Sequence, residues 1–185
     1  MRGYDYGPTF IKAGRELGMD LRVGNAGNEV KENQLYDLII ICHVLERLPN
    51  PVLSFANLRN FLAPGGAIYV EVPDTEPFSA QSLVNAHTYY FTTPTLLAYL
   101  NQTGFKAAVR LDKKIIGAIG FLAKKADTGN NQKPSELTGE FKRMKRVIRR
   151  AERRAQWRGL VKTALQRLGL YPIIRRLKKK IEPGR

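Results

Sequence analysis

Residues 36–43 form a run that is almost wholly apolar after Asp37. Such a run predicts a β-strand covered on both faces, which places it near the middle of a sheet. Helical and strand patterns alternate around it, with helices over residues 8–18, 51–62 and 93–104 and strands over residues 21–23, 67–72, 107–111 and 119–123. This order predicts an α/β fold in which helices pack on a mainly parallel sheet, with the last two strands as antiparallel neighbours.

The charge is distributed unevenly along the 185 residues, whose formal net charge is +15. Residues 141–185 contain 17 Lys and Arg against two acidic residues, whereas residues 1–140 contain 14 of each kind. Residues 126–139 are rich in Gly, Asn, Gln, Pro and Ser, which is typical of a linker. We therefore expect a neutral domain over residues 1–125, a linker, and a basic helical tail over residues 140–185.

The tail has the pattern of a basic amphipathic helix. Its apolar residues recur at spacings of three and four up to Ala155, and they continue after a change of phase near Trp157. Gly169 is expected to cap this helix, and Pro172 to begin a shorter one. Three roles stay open: a solvated cationic face, docking on an anionic membrane surface, and binding of nucleic acid. No aromatic stacking pattern supports the last of these.

Cys42 is the only cysteine, so no disulfide can form within the chain, and its apolar neighbours predict a small buried side chain. No apolar run approaches the roughly 18 residues of a membrane-spanning helix, and the residues after Met1 lack the apolar core of a secretion signal. We expect a cytoplasmic protein, with peripheral attachment at the inner membrane face as the alternative that the tail leaves open.

Four motifs occur in a characteristic order. They are YDLIIICHVLERLPNP over residues 36–51, LAPGG followed by a strand over residues 62–72, HTYYFT over residues 87–92, and TGF over residues 103–105. Together they resemble the class I S-adenosylmethionine-dependent methyltransferases, particularly the branch acting on small molecules and sugars. Arg47 stands where the usual form of the first motif has a second histidine.

The resemblance implies a cofactor site for S-adenosylmethionine at the carboxyl ends of the strands, where open α/β sheets bind their ligands. Asp5 matches the acidic residue that binds the ribose hydroxyls, and Asn25 stands near the position of an Asp that lies against the adenine. His43, at a strand end, would face the cofactor or the substrate and is also a candidate catalytic residue. A turn or helix-cap role for Asp5 and a packing role for His43 stay open.

His87 is the stronger candidate for a general base, because a neutral imidazole can take a proton from an acceptor hydroxyl or carbon acid. Tyr89 and Tyr90 would form an aromatic wall that holds the substrate. Glu46 is assigned to substrate binding, with loop orientation or helix capping as the alternative. A hydrogen bond that fixes the loop stays open as the role of His87, and we expect no metal site.

The family's glycine-rich turn after the first strand is missing from its expected place. Residues 24–27 follow the wrong strand, and residues 117–120 come too late. We therefore expect an incomplete Rossmann-like methyltransferase sheet whose first strand, central in the family, is absent, through an N-terminally incomplete gene product or a start at an internal Met.

The expected function is methyl transfer from S-adenosylmethionine to an oxygen or carbon of a small molecule, impaired in this chain. The tail suggests a sugar or a lipid-linked glycan precursor as the acceptor. The alternative is a non-catalytic remnant of the fold that acts as a binding module through its basic tail, on an anionic membrane or on nucleic acid.

Overall fold

The computed structural model describes residues 1–24, 32–76, 78, 85–111, 117–126, 137 and 139–172. The chain divides into two compact units, Met1–Pro77 with Leu83–Glu140, and Phe78–Ser82 with Phe141–Arg185. The elements in chain order are β1 (Arg2–Asp5), α1 (Pro8–Glu16), β2 (Asp20–Val23), β3 (Tyr36–Cys42), α2 (Pro51–Asn60), β4 (Leu62–Pro73), α3 (Thr93–Gln102), β5 (Phe105–Arg110), β6 (Ala118–Lys125) and α4 (Glu140–Arg167). The α/β class and the predicted order of elements are confirmed.

Strands β1 and β2 form a small parallel sheet of their own, connected by α1. Helix α1 begins at Pro8, whose fixed φ suits the first helical position. The chain then turns at Gly18, which has a φ of +81°. Ile11 is the buried apolar side chain of this helix.

The second sheet has four strands in the order β3-β4-β6-β5. Strand β3 runs parallel to β4, whereas β6 runs antiparallel to both of its neighbours. The sheet is therefore mixed, and the prediction of a mainly parallel sheet is wrong for it, whereas the predicted antiparallel pairing of the last two strands is confirmed.

One face of this sheet carries the main hydrophobic core. The core side chains that are less than 2% exposed include Phe55 from α2, Leu96 and Leu100 from α3, Ile68, Val70 and Val72 from β4, Phe105 from β5 and Ile119 from β6. The apolar side chains of β4 alternate with more exposed ones, as expected for a strand with one covered face. This packing holds β4 in place, together with the residues at its carboxyl end.

The prediction that β3 is covered on both faces is wrong. Leu38 is 50% exposed and Ile40 is 59% exposed, and Cys42, which we expected to be buried, is exposed as well. Within the described residues β3 pairs with β4 alone, and β1 and β2 belong to a separate sheet. The apolar run therefore forms an edge strand with an open face in the first unit.

The boundary predicted between α2 and β4 also differs. We expected Pro64, Gly65 and Gly66 to form a turn before a strand that begins at residue 67, but β4 begins at Leu62. Gly65 has a φ of +76°, and the register between β3 and β4 shifts near this point. A strand can absorb such a conformation as an irregularity, because glycine adopts positive φ without a steric penalty.

The second unit contains nearly all of helix α4. The helix is closed by Gly169, which has a φ of +69°, and by a hydrogen bond from the Leu170 amide to the Leu165 carbonyl of 2.9 Å, so the predicted cap is confirmed. Most of the predicted linker and most of the short helix after Pro172 lie outside the described residues. None of the helices described is long and apolar enough to cross a membrane.

Candidate functional site

The carboxyl ends of β3 and β4 lie side by side, because the two strands are parallel and Cys42 pairs in register with Glu71. Directly after β3, the amide of His43 donates to the Glu71 carbonyl at 3.0 Å. His43 has a φ of +53°, which a residue with a β-carbon adopts at a cost. The chain therefore turns sharply at the point where open α/β sheets hold their ligands.

A short 3₁₀ turn over Leu45–Arg47 follows His43. Leu45 is fully buried and Leu48 is 2% exposed, so the core anchors both ends of the turn. Glu46 lies between these two leucines, and only 2% of its side chain is exposed. The packing of the neighbouring apolar side chains thus places a carboxylate inside the protein.

The Glu46 carboxylate lies near three nitrogen atoms that are too distant for hydrogen bonds. Its Oε1 lies 3.8 Å from His87 Nε2, 3.8 Å from Arg47 Nε and 3.9 Å from His43 Nδ1. Neither carboxylate oxygen has a hydrogen-bond partner among the residues that the structure describes. A buried polar group in this condition costs about 1–3 kcal/mol, so its presence calls for an explanation.

The backbone of Glu46 brings the loop of His87 to the site. The Glu46 carbonyl accepts hydrogen bonds from the amides of Thr88 at 2.8 Å and of Tyr89 at 3.0 Å. These bonds hold His87 beside the carboxylate, with 9% of its side chain exposed. The ring of Tyr90 lies 5.9 Å from the His87 ring, centroid to centroid, and Tyr90 is 39% exposed.

Tyr89 is held mainly by the surrounding protein. Its hydroxyl donates to the Pro49 carbonyl at 3.0 Å, and its ring packs against Phe91 and Tyr99. Its predicted contact with the substrate stays a prediction, as does that of Tyr90.

Glu71 belongs to the same site and was not identified from the sequence. Its Oε1 lies 3.2 Å from His43 Nε2, and its Oε2 accepts a hydrogen bond of 2.5 Å from the Tyr69 hydroxyl. Tyr69 can lie across β6 because Gly120 stands there: a β-carbon at Gly120 would be 2.9 Å from the hydroxyl oxygen. The alternation of β4 is the sequence signal that indicates Glu71, since it places this residue on the face opposite Val70 and Val72. We call His43, Glu46, Glu71 and His87 the Glu46 cluster.

Cys42 precedes this cluster but is a poor nucleophile. Partial desolvation, and then the negative charge of Glu71, raise the pKa of this exposed thiol above the usual value. The reactive thiolate form is therefore disfavoured.

Of the two residues predicted to bind the cofactor's nucleoside, Asp5 is described, and it lies outside the Glu46 cluster. Asp5 ends β1 in the two-stranded sheet, is exposed, and accepts a hydrogen bond of 2.6 Å from the Gly7 amide to its Oδ1. This hydrogen bond corresponds to the turn role of Asp5 that the sequence left open. It occupies one carboxylate oxygen, so the other could still bind a ligand. Asn25 lies outside the described residues.

A second buried carboxylate, Glu32, has a contrasting environment. Its side chain is 2% exposed, its Oε2 lies 2.6 Å from the donating Arg2 Nη1, and its Oε1 accepts a hydrogen bond from the Tyr4 hydroxyl. Tyr36 at the start of β3 hydrogen-bonds to it as well. We call Arg2, Tyr4, Glu32 and Tyr36 the Glu32 network.

The Glu32 network shifts the pKa values of its members. Burial opposes ionisation of Glu32, but the hydrogen bonds from Tyr4, Arg2 and Tyr36 outweigh it and lower the pKa of the carboxyl. Burial, and then the hydrogen bond to Glu32, raise the pKa of Tyr4 to about 12. This network is a satisfied structural contact between β1, the segment before β3, and β3 itself.

Comparison with known proteins identifies the family and the fold of the chain. Residues 6–109, more than half of the chain, match the family model described as a methyltransferase domain. The chain belongs to this methyltransferase family. No curated protein matches it in sequence.

Solved methyltransferase structures share the fold. The CcbJ methyltransferase from Streptomyces caelestis is similar with a TM-score of 0.57 and 13% identity, over 68% of this chain and 74% of that one. An S-adenosylmethionine-dependent methyltransferase from Clostridium acetobutylicum gives 0.56 and 12%, over 68% and 74%. A third, from Mesorhizobium loti, gives 0.57 and 12%, over 67% and 79%. Family and fold support methyl transfer as the general activity, with S-adenosylmethionine as its cofactor.

The described residues suit the ribose of S-adenosylmethionine better than its methionine end. The exposed carboxylate of Asp5 at the end of β1 is suited to accept ribose hydroxyls. The glycine-rich turn that the family uses for the methionine end is not found in the described part of the chain. An open depression of about 450 Å³ lies along α1 and is lined by Pro8, Ile11, Lys12, Arg15, Glu16 and Val23, so it coincides with none of the candidate residues. No three potential metal ligands come together in the residues described.

Proposed function

We propose that this methyltransferase domain transfers a methyl group from S-adenosylmethionine to an oxygen or carbon of a small acceptor, with His87 as general base. The observation that carries the proposal is the Glu46 carboxylate, which is buried without a hydrogen bond from any described residue and lies 3.8 Å from His87 Nε2. Ionisable groups held in costly environments at strand ends are concentrated at functional sites.

The chemistry of His87 follows from its neighbours. When the imidazole takes a proton from the acceptor it becomes positively charged, and the Glu46 carboxylate beside it stabilises that charge. The backbone hydrogen bonds from Thr88 and Tyr89 to Glu46 keep the ring and the carboxylate in place. Glu46 is thus a positioning residue for His87.

His43 and Glu71 complete the site on the side of β4. The 3.2 Å contact between His43 Nε2 and Glu71 Oε1 orients the exposed imidazole, of which 49% is accessible. An accessible ring at this edge is suited to contact the acceptor or the cofactor. S-adenosylmethionine supplies a methyl group already bonded to a good leaving group, so positioning contributes most to the reaction.

The acceptor class that we propose is a sugar or a lipid-linked glycan precursor. The exposed ring of Tyr90 lies beside His87 and provides an apolar wall for a ring-shaped acceptor. The basic residues 141–185 would attract a substrate carried on an anionic surface.

A second candidate function is supported by the separation of the two sheets. In the described residues β1 and β2 do not pair with β3, and the glycine-rich turn is missing from that part of the chain. A chain without a central strand between them would be a remnant that binds through its tail. Calorimetric titration with S-adenosylmethionine separates the two functions. A methyltransferase that is impaired as expected would bind this cofactor weakly.

The decisive experiment measures transfer of labelled methyl groups from S-adenosylmethionine to a panel of sugars and small hydroxyl compounds. His87→Gln is expected to lower kcat by about 10²–10⁴-fold, the usual contribution of a general base. Arg47→Gln is the matched control, because Arg47 lies at the same 3.8 Å from Glu46 but is 52% exposed and cannot act as a base at neutral pH. Equal activity of the His87 variant and the control would eliminate His87 as the base, and no cofactor binding at all would favour the remnant.

A further inference from the structure

The apolar side chains of α4 do not form one continuous stripe. In its first half they are Phe141, Met144, Val147, Ile148, Ala151 and Ala155. In its second half and just beyond they are Trp157, Leu160, Val161, Ala164, Leu165 and Leu168. At 3.6 residues per turn the centre of the second stripe is rotated by roughly 140° from the first. The helix therefore presents two different apolar faces.

The second face is strongly exposed. Trp157 is 71% exposed, Leu160 is 70% exposed and Leu168 is 69% exposed, and Val161 and Ala164 beside them are exposed as well. We call these five residues the Trp157 surface. Large apolar side chains that lie together in this way mark a place where a partner binds.

Positive charges border the Trp157 surface on both sides. On a helical projection Arg167 falls along one border, and Arg154 and Arg158 fall along the other, whereas Arg153 lies on the same face one turn before Trp157. The whole helix Glu140–Arg167 has 11 Lys and Arg residues, against Glu140 and Glu152 as its acidic ones. An apolar centre between cationic borders requires a partner with an apolar layer and a negatively charged surface.

The charges argue against two other partners. A second copy of α4 would bring its own excess of cations against the same borders, where there is no acidic residue to neutralise them. Nucleic acid would neutralise the arginines but would leave the leucines in contact with water or phosphate. Neither partner satisfies the apolar centre and the borders together.

We propose that the Trp157 surface docks α4 on an anionic lipid bilayer. The helix lies in the plane of the interface, the leucines and Val161 enter the boundary between headgroups and acyl chains, and the arginines contact anionic headgroups. Trp157 occupies the headgroup level, which indole rings prefer. The proposal does not depend on methyl transfer, because it concerns binding alone.

The chain contains its own reporter for this proposal, since Trp157 is its single tryptophan. The full-length protein is mixed with vesicles of phosphatidylcholine alone, or of phosphatidylcholine with phosphatidylglycerol. Binding is measured by co-sedimentation and by Trp157 fluorescence. We expect co-sedimentation and a blue-shifted emission with the anionic vesicles only, both weakened by salt.

Two double variants distinguish insertion from simple charge attraction. Leu160→Gln with Leu168→Gln removes apolar side chains from the Trp157 surface and is expected to weaken partitioning by about tenfold or more. Thr163→Gln with Gln166→Asn changes the opposite side of the same turns and should bind as the wild type does. Circular dichroism of both variants confirms that α4 stays helical.

Three results would overturn the proposal. They are an unchanged Trp157 emission in the presence of anionic vesicles, equal partitioning of the two double variants, and binding to a duplex oligonucleotide in place of vesicles. The last result would assign the tail to nucleic acid.

Discussion

Two glutamate side chains of this methyltransferase domain are equally buried, each with 2% of the side chain exposed, but their hydrogen-bond partners differ. Glu32 accepts hydrogen bonds from Arg2, Tyr4 and Tyr36. Glu46 accepts none in the described structure, although three nitrogen atoms lie within 3.9 Å of its Oε1.

The difference separates a structural carboxylate from one that is retained for chemistry. The Glu32 network joins β1 to β3 and satisfies its buried charge, so its value lies in the stability of the fold. Within the described residues the Glu46 carboxylate has no hydrogen bond, and it lies at the carboxyl ends of β3 and β4, where a ligand is expected to bind. Loss of the Glu32 charge is therefore expected to lower the stability of the fold. Loss of the Glu46 charge is expected to raise stability and to lower activity.

The largest effect on stability is expected from Glu32→Gln. The substitution removes the buried negative charge that pairs with Arg2 and is expected to lower the free energy of unfolding by about 2–3 kcal/mol. Chemical denaturation measures this change. Asp20→Asn is the control, because Asp20 bonds the same arginine at 2.7 Å from an exposed position and should change stability little. A Glu32→Gln variant no less stable than the control would show that the network does not stabilise the fold.

The same network predicts a pH dependence. Because the folded-state pKa of Glu32 is lowered, its contribution to stability is fully present above its usual pKa of 4.5 and is lost as the pH falls through the folded value. The difference in Tm between wild type and Glu32→Gln should therefore be largest at neutral pH and shrink below about pH 4. A difference that is constant from pH 7 to pH 3 would contradict this origin.

The smallest effect concerns the strained backbone of the Glu46 cluster. At most positions Ala is more stable than Gly, but the φ of +53° at His43 should reverse this order. We expect His43→Gly to exceed His43→Ala in unfolding free energy by about 1 kcal/mol. If His43→Ala is the more stable variant, the backbone there is not strained.

The sequence predicted most of the elements of the fold because they depend on local signals. Pro8 and Gly18 bound the region of the first helix, and the spacing of Leu96 and Leu100 predicts α3. The burial of β3 was predicted wrongly, because a run such as Leu38–Ile40 shows only that a strand is apolar. Whether it lies at the edge depends on its partner strands, which are remote in sequence.

The site was predicted in part for the same reason. His43 and Glu46 are close in sequence, and His87 was a candidate on its own. The contact between Glu46 and His87, however, depends on a loop that returns 41 residues later. Glu32 gave no sequence signal, because its partners Arg2 and Tyr4 lie 30 and 28 residues earlier in the chain. Polar networks of this kind become visible only when the fold brings their members together.

The most direct test of the contrast between the two carboxylates is the unfolding free energy of Glu46→Gln, measured by chemical denaturation beside wild type and Glu32→Gln. A neutral amide of the same shape removes a buried charge that accepts no hydrogen bond from the described residues, so Glu46→Gln is expected to raise the free energy of unfolding by about 1–2 kcal/mol. Glu32→Gln lowers it under the same conditions. A fall for both variants would contradict the account, because it would show that Glu46, like Glu32, is a structural carboxylate.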